Sequence, residues 1–254
     1  MEKVSALKSW LDRRSSLHEF ALLNRVPDRE MGGFIGIDVA VPAHKSLELK
    51  AESLVASWQA DDRYVQEALR IINSEEPLWL DREEVQMIMD ELGEPPVVAY
   101  PIYFISVGIG VNERLVYVGK TSSSKSRFNG GHPALSKLHA PEYEGLQKTL
   151  YMGTLVFLND HGYLPIEWIK PLDKAEQLLK AVEAQIIFDF KPELNSDHKT
   201  RFNSNWPTII NFESYANENK FLDGEQSSGP IGHGKLPYIW SPEEEAAASK
   251  KKRG

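Results

Sequence analysis

The chain contains no cysteine and no long apolar run, and each absence restricts its chemistry. Without cysteine, disulfides, thiolate metal sites and cysteine nucleophiles are excluded, so any metal must be bound by oxygen or imidazole. No window approaches the roughly eighteen consecutive apolar residues that a membrane span requires. The first residues also lack the basic-then-apolar pattern of a secretion signal. We therefore expect a globular, cytoplasmic protein that has no membrane partner.

Positive charge is also scarce, because the 254 residues carry a net charge of −8 at pH 7. Residues 1–96 contain 11 Lys and Arg against 19 Asp and Glu, whereas residues 97–201 contain 12 against 11. Affinity for nucleic acid comes largely from Lys and Arg side chains that neutralise phosphates. The N-terminal third is therefore a poor nucleic-acid surface, while the middle third can carry a local basic groove.

The cluster Gly93-Glu94-Pro95-Pro96 marks a predicted domain boundary. Residues 1–96 are predicted to form an acidic, mainly helical accessory domain. Its expected elements are a helix over 4–24, a strand over 34–41, a helix over about 46–73 with a break allowed, and a helix over 82–92. The last helix is indicated by Asp81 as N-cap and by Glu84 three residues later.

Residues 97–205 form the second predicted domain, and its mixed pattern predicts an α+β fold. Two β-rich segments, 97–107 and 114–119, are expected to pair as a hairpin. The other expected elements are a helix over 133–139, strands over 151–158 and 164–169, and a helix over 174–188. Asp173 and Glu176 are predicted to form a capping box for this last helix. Residues 206–254 are expected to be an irregular extension with a basic tail.

Five short pieces of the second domain occur in a set order. They are Pro101-Ile102-Tyr103, Tyr117-Val118-Gly119, Arg127, Glu183 and Asn195. In that order they resemble the GIY-YIG nuclease superfamily, over about residues 97–197. The resemblance implies a small antiparallel sheet flanked by helices, and a metal-dependent endonuclease that cuts phosphodiester bonds, with DNA as the favoured substrate. The size of the chain resembles that of restriction or phage-defence nucleases.

The resemblance also implies roles for the two tyrosines and the arginine. Tyr103 would act as the general base or activate it, and Tyr117 would share its hydrogen-bond network. Arg127 would stabilise the transition-state phosphate, and Lys120, directly after Gly119, would join it in binding substrate. Because a free tyrosine loses its proton only near pH 10, Tyr103 needs a cationic or imidazole neighbour.

The remaining implied site residues are Glu183 and Asn195. Glu183 falls roughly 80° from the centre of the apolar face of its predicted helix, so it lies on the flank of that face. The resemblance makes it the protein ligand of one divalent ion, Mg²⁺ or Mn²⁺. Asn195 would orient groups around the scissile phosphate or hold the site together.

Two features of the chain depart from the family pattern. Pro101 occupies the position of the first glycine, which a strand can tolerate where no N–H is required. The family's arginine and histidine lie four apart on one helix, whereas Arg127 and His132 are five apart with Asn129-Gly130-Gly131 between them. His132 is thus either the functional histidine or the N-cap of the helix that begins at Pro133, and His139 is the fallback.

Other functions remain open on the sequence alone. The same fold could be a degenerate module that binds nucleic acid or a protein without cutting, or a nuclease that cuts RNA. Residues 1–96 could bind a protein partner, could cover the cleft electrostatically, or could only buttress the second domain.

Overall fold

The computed structural model describes residues 5–17, 32–49, 52–74, 79–121, 132–159, 162–199, 209–216 and 219–229. In these ranges the chain has a mixed α+β fold. The helices are α1 (Lys8–Leu11), α2 (Leu54–Ile71), α3 (Arg82–Leu92), α4 (Pro133–Lys137) and α5 (Leu172–Phe190). The strands are β1 (Gly32–Pro42), β2 (Ile102–Val107), β3 (Arg114–Lys120), β4 (Lys148–Asn159), β5 (Gly162–Pro165), β6 (Ile209–Ser214) and β7 (Gln226–Ser227). No described helix is both long enough and apolar enough to cross a bilayer.

Strand β4 organises one sheet from all seven described strands. One edge of β4 pairs antiparallel with β1, and its other edge pairs first with β2 and then with β5. Strand β3 adds antiparallel to β2, while β6 adds to the far edge of β1 in parallel. The order is therefore β3-β2-β4-β1-β6-β7. The sheet is larger than the small antiparallel sheet that was expected, and it is mixed.

Several local patterns fold as predicted. The capping box of α3 is confirmed, because the Asp81 carboxylate accepts from the Glu84 N–H at 2.8 Å and Glu84 accepts from the Asp81 N–H at 2.7 Å. The hairpin of β2 and β3 is confirmed as well, with a short 3₁₀ turn between the strands.

The predicted start of α5 is wrong. The helix begins at Leu172 with Pro171 in the N-cap position, and no side chain caps it. Asp173 therefore lies inside the first turn, where its charge faces the positive end of the helix dipole but cannot form a capping box with Glu176. The strand predicted over 164–169 ends at Pro165 and continues as the 3₁₀ turn Ile166–Trp168.

Two predictions near the chain ends are also corrected. Of the helix expected over 4–24, the described residues 5–17 form only α1, because Arg13 takes a positive φ of 59° just beyond it. Residues 4 and 18–24 lie outside the described ranges. The segment expected to be irregular, 206–254, contains β6 and β7. The alternation of buried Ile210 and Phe212 with half-exposed neighbours explains β6. The basic tail, 250–253, lies outside the described ranges.

The N-terminal third contributes an interior strand to the sheet. Strand β1 lies between β4 and β6, so it is paired on both edges. The domain boundary at Pro96 stays a prediction, but strands from both sides of Pro96 belong to the same sheet.

The sheet has two unlike faces. The first, called here the α5 face, packs buried strand residues such as Ile35, Phe104 and Val118 against α2 and α5. The second, called the α4 face, carries Tyr103, together with Met152 from β4, and packs near β2 and β3 against α4. Since neighbouring residues of a strand point to opposite faces, each strand contributes to both.

Candidate active site at the end of strand β3

The two tyrosines of the motifs meet on the α4 face. Tyr103 pairs with Gly119 across the hairpin, and Ile105 pairs with Tyr117, so all four residues point the same way. Beyond Ile105 the pairing register shifts by one residue, so this alignment holds only for the part of the hairpin that carries the motifs. The two tyrosine rings lie with their centroids 6.0 Å apart.

His132 completes this cluster from the start of α4. Its Nε2 lies 2.7 Å from the Tyr103 hydroxyl oxygen, and its Nδ1 accepts from the Ala134 N–H at 3.2 Å. The ring stands edge-on to both Tyr103 and Tyr117, and the residue is 3% exposed. Because Nδ1 accepts a backbone hydrogen bond, the proton of the neutral ring is on Nε2, which then donates to the Tyr103 oxygen. His132 is therefore both the N-cap of α4 and a neighbour of the phenol.

Gly119 leaves the space in which the phenol lies. A Cβ at this position would contact the Cζ and hydroxyl oxygen of Tyr103 at a separation that real Cβ atoms do not show, and would lie 2.8 Å from a Tyr117 ring carbon. The absence of a side chain is thus required by the close approach of Tyr103 to the β3 backbone.

Lys120 and Glu183 form a second cluster on the other side of β3. The Lys120 Nζ lies 3.7 Å from a Glu183 carboxylate oxygen, and the two side chains are 25% and 18% exposed. Lys120 follows Gly119 at the end of the strand, so it points to the α5 face, where α5 presents Glu183. The Glu183 carboxylate is suited to bind a metal ion, and the Lys120 ammonium group is suited to bind a phosphate.

Asn195 fixes the end of β3 in place. Its carboxamide accepts from the Val118 N–H at 2.9 Å and donates to the Val118 carbonyl at 2.8 Å. The Leu194 N–H adds a bond of 2.9 Å to the Val116 carbonyl. The asparagine therefore takes the place of a neighbouring strand along the outer edge of β3, which argues for a positioning role.

The structure thus brings the predicted residues together in two groups joined by residues 117–120. Tyr103, Tyr117 and His132 lie on the α4 face, while Lys120 and Glu183 lie on the α5 face. Arg127 lies outside the described residues, so its predicted contact with substrate stays a prediction. His139 is exposed at the far end of α4, and the structure places His132 rather than His139 beside Tyr103.

Sequence reasoning missed the part played by Thr121. Its hydroxyl donates to the Tyr100 carbonyl at 2.6 Å, and its N–H donates to the Pro101 carbonyl at 2.8 Å. These bonds tie the end of β3 to the start of β2, which sets the two motifs side by side. The position of Thr121 two residues after Gly119 was the available signal, because a hydroxyl there can bond the facing strand's backbone.

A metal ion at this site would have few protein ligands. Among the described residues no group of three or more His, Asp or Glu side chains is arranged to hold one. A single carboxylate such as Glu183 fits an ion that keeps most of its own waters, and Mg²⁺ commonly binds in this way.

A different titratable pair lies where α2 packs against the 3₁₀ turn Ile166–Trp168. Asp61, on α2, is 2% exposed, and neither of its carboxylate oxygens has a hydrogen-bond partner among the described residues. Burial and the nearby Glu167 carboxylate raise the pKa of Asp61 to about 8. Burial raises the pKa of Glu167 to about 7, although its carboxylate accepts from the Ala99 N–H at 2.9 Å.

Comparison of the chain with family models, with curated proteins and with solved structures gives no match in any of the three. The chemistry of the site has to be inferred from its own residues.

Proposed function

We propose that this protein is a metal-dependent endonuclease that hydrolyses phosphodiester bonds, with DNA as the favoured substrate. The observation that supports this most strongly is the buried Tyr103–His132 hydrogen bond of 2.7 Å, packed against Tyr117 beneath the side-chain-free Gly119. The order of the motifs along the chain, which resembles that of the GIY-YIG nuclease superfamily, supports the same reaction. A role in restriction or phage defence belongs to the proposal.

Tyr103 is the proposed general base. The Nε2–H of His132 donates to the phenol oxygen, and a donor at that oxygen stabilises the phenolate form. The phenolate then accepts a proton from the attacking water as the water oxygen bonds to phosphorus and the bond from phosphorus to the leaving oxygen breaks. The leaving oxygen takes a proton from solvent. The T-shaped contact of Tyr117 with His132 limits the rotation of the imidazole, which keeps Nε2 directed at Tyr103.

Glu183 is the proposed ligand of a divalent ion. When bound, Mg²⁺ or Mn²⁺ supplies positive charge that stabilises the charge developing on the phosphate and on the leaving oxygen. Glu183 holds the ion from α5, whose buried residues fix the helix against the sheet.

Lys120 is proposed to contact the substrate phosphate. Its present partner is Glu183, and an ion on that carboxylate would repel the ammonium group toward the nearby phosphate. Arg127 is proposed to act with it, because a guanidinium fork matches two phosphate oxygens.

The ion pair of Lys120 and Glu183 also favours a second candidate function. An ammonium group that neutralises Glu183 permanently would leave no role for a metal, and the fold would then bind nucleic acid or a protein without cutting it. The two functions differ in whether Glu183 is needed for turnover.

The deciding experiment incubates purified protein with supercoiled plasmid, single-stranded DNA and structured RNA, with Mg²⁺ or with chelator. We expect Mg²⁺-dependent cutting that Glu183→Gln lowers by about a thousandfold or more. Glu176→Gln, two turns earlier on α5, is the matched control and should cut at the wild-type rate. Wild-type cutting by Glu183→Gln would contradict the assignment of Glu183 as metal ligand. No cutting by the wild-type protein on any substrate would contradict the nuclease, and binding without cutting would support the second function. The substrate that is cut decides between DNA and RNA.

A further inference from the structure

An exposed aromatic ring lies on the α4 face, away from α4 itself. Tyr215 directly follows β6, and its N–H continues the pairing with β1 by donating to the Ile37 carbonyl at 2.8 Å. A Cβ on Gly36 would lie 3.3 Å from the Tyr215 ring, so the ring covers Gly36, while 63% of the residue is exposed. The Tyr215 hydroxyl donates to Glu213, which fixes the direction of the ring.

A polar group lies close to that ring. Asp38 occupies a register shift in β1, and its carboxylate accepts from the Thr154 hydroxyl at 3.0 Å. The same hydroxyl oxygen would lie 3.0 Å from a Cβ on Gly36. The carboxyl of Asp38 and the ring of Tyr215 are therefore separated by little more than the Thr154 hydroxyl and the Gly36 backbone.

The ring and the proposed catalytic tyrosine share one face of the sheet. Tyr103 pairs with Met152, and Gly36 pairs with Thr154, two residues further along β4. Residues two apart on a strand point to the same face, so all four lie on the α4 face. From strand spacing and rise, Gly36 is about 12 Å from Tyr103, which is within the reach of a neighbouring nucleotide.

We propose that Tyr215 is a stacking platform for an unpaired nucleobase of the substrate, and that Asp38 accepts a hydrogen bond from the exocyclic amino group of that base. The inference rests on the proposed nuclease function and names its substrate class: nucleic acid that is single-stranded or locally unpaired beside the cut. In a duplex the faces of each base are covered by the neighbouring bases, so such a ring can stack only on a base that has left the duplex.

The charges around the ring support a base rather than a phosphate at this place. Asp38 and Glu213 repel a phosphate, but carboxylate oxygens accept from the amino groups of cytosine and adenine. The Lys220 Nζ donates to the carbonyl of Ser214, the residue before Tyr215, at 2.7 Å. The arrangement therefore directs the base toward Asp38 and keeps the backbone away from it.

The test measures binding by the full chain in chelator, so that no cutting occurs, to labelled oligonucleotides of about ten nucleotides. The probes are oligo-dC, oligo-dT and a duplex of mixed sequence. Tyr215→Ala should weaken the binding of oligo-dC by about tenfold or more, since stacking on one ring contributes that much. Tyr215→Trp keeps the stacking surface and should bind as the wild type does. Trp79→Ala removes an aromatic side chain that is also 63% exposed but lies outside the sheet, and should change nothing.

Asp38→Ala should reduce the preference for oligo-dC over oligo-dT, because thymine has no exocyclic amino group. Unchanged binding by Tyr215→Ala, or wild-type preference for the duplex, would overturn the platform even if the protein cuts DNA. Failure of the nuclease would be seen separately, as absence of Mg²⁺-dependent cutting by the wild-type protein on any substrate. Binding of oligo-dC that depends on Tyr215 would then still support the platform, and absence of binding would overturn it.

Discussion

Two buried pairs of titratable side chains differ in how their polar atoms are satisfied. Tyr103 and His132, on the α4 face, share a hydrogen bond of 2.7 Å, and a backbone N–H occupies the other imidazole nitrogen. Asp61 and Glu167 are as deeply buried, yet both oxygens of Asp61 are without a hydrogen-bond donor in the described part of the chain. The first pair has its polar atoms satisfied by hydrogen bonds, whereas burial raises the pKa values of the second pair and so favours the forms that hold a proton.

The two pairs are therefore expected to respond differently to substitution: one should affect catalysis and the other stability. A change in the Tyr103–His132 pair should alter catalysis more than folding, because the pair lies at the proposed site and its loss removes about one hydrogen bond of stability. A change in the Asp61–Glu167 pair should alter the free energy of unfolding and its dependence on pH. When either carboxyl group loses its proton, the folded state contains a buried negative charge, which is destabilising.

The largest expected effect is that of Tyr103→Phe on cutting. Removal of the hydroxyl removes the proposed base, and general-base catalysis contributes about 10²- to 10⁴-fold. The free energy of unfolding should fall by only about 1 kcal/mol. The measurements are single-turnover cutting rates and urea unfolding.

Tyr143→Phe is the matched control for Tyr103→Phe. Tyr143 is also buried among the residues of the α4 face, but its hydroxyl donates to Glu193 at 2.8 Å. If both variants lose the same activity, Tyr103 has a structural role and is not the base.

The second prediction concerns Asp61→Asn and pH. The folded-state pKa values, about 8 for Asp61 and about 7 for Glu167, lie above the ordinary values of 3.8 and 4.5. The folded protein therefore binds more protons than the unfolded chain between about pH 4 and 8, so its stability falls as pH rises through that window. Asp61→Asn cannot ionise; it should reduce this slope and exceed the wild type in stability above about pH 8, by an amount on the order of a few kcal/mol.

Urea unfolding of the wild type and of Asp61→Asn across this pH range tests the second prediction. Wild-type stability that rises between about pH 5 and 8 would contradict the assignment of a raised pKa to this pair. The cutting rate of Asp61→Asn at neutral pH should match the wild type, since Asp61 lies on α2 and is not one of the proposed site residues.

The third prediction concerns Gly119, whose lack of a side chain leaves room for the Tyr103 ring. Gly119→Ala would push the phenol from the β3 backbone, and a displacement of about 1 Å can reduce a rate by about a hundredfold. Gly32→Ala is the control, because the nearest atom to a Cβ there is 3.6 Å away. Cutting by Gly119→Ala at the Gly32→Ala rate would show that the position of the phenol does not limit the reaction.

The smallest expected effect is that of Asn195→Ala. The change removes both bonds to the Val118 backbone and should cost about 1–2 kcal/mol of stability, with a modest loss of rate. Asn195→Asp retains the acceptor and loses the donor, so it should fall between the wild type and Asn195→Ala in thermal melting. A loss of rate as great as that of Tyr103→Phe would instead place Asn195 among the reacting groups.

Several features that depend on residues close together in the sequence were predicted correctly. The capping box of α3 and the alternation in β2 and β3 depend on residues within a few positions of each other, and both are confirmed. The pairing of Tyr103 and Tyr117 on one face follows from the same alternation. Their contact with His132 does not follow from local pattern, because 29 residues separate it from Tyr103 and no periodicity fixes where the chain returns. Only the resemblance made His132 a candidate.

Contacts between distant segments account for the other differences. The alternation that indicates β6 was overlooked, whereas its pairing with β1 could not be predicted, because β1 is far away in sequence and neither strand indicates the other. Asp61 had a signal that was overlooked: it lies three and four residues before Tyr64 and Val65, on the buried stripe of α2. A carboxylate in such a stripe predicts either a buried partner or a bound proton.

The parallel pairing of β1 with β6 has a consequence for synthesis of the chain. A ribosome makes β1 well before β6, so the outer edge of β1 lacks its pairing with β6 until residues 43–208 have been made. An uncovered strand edge readily pairs with other chains. The last step of folding should therefore be slow and prone to aggregation, and a ribosome that stalls before residue 209 would release a nascent protein whose central strand is half paired.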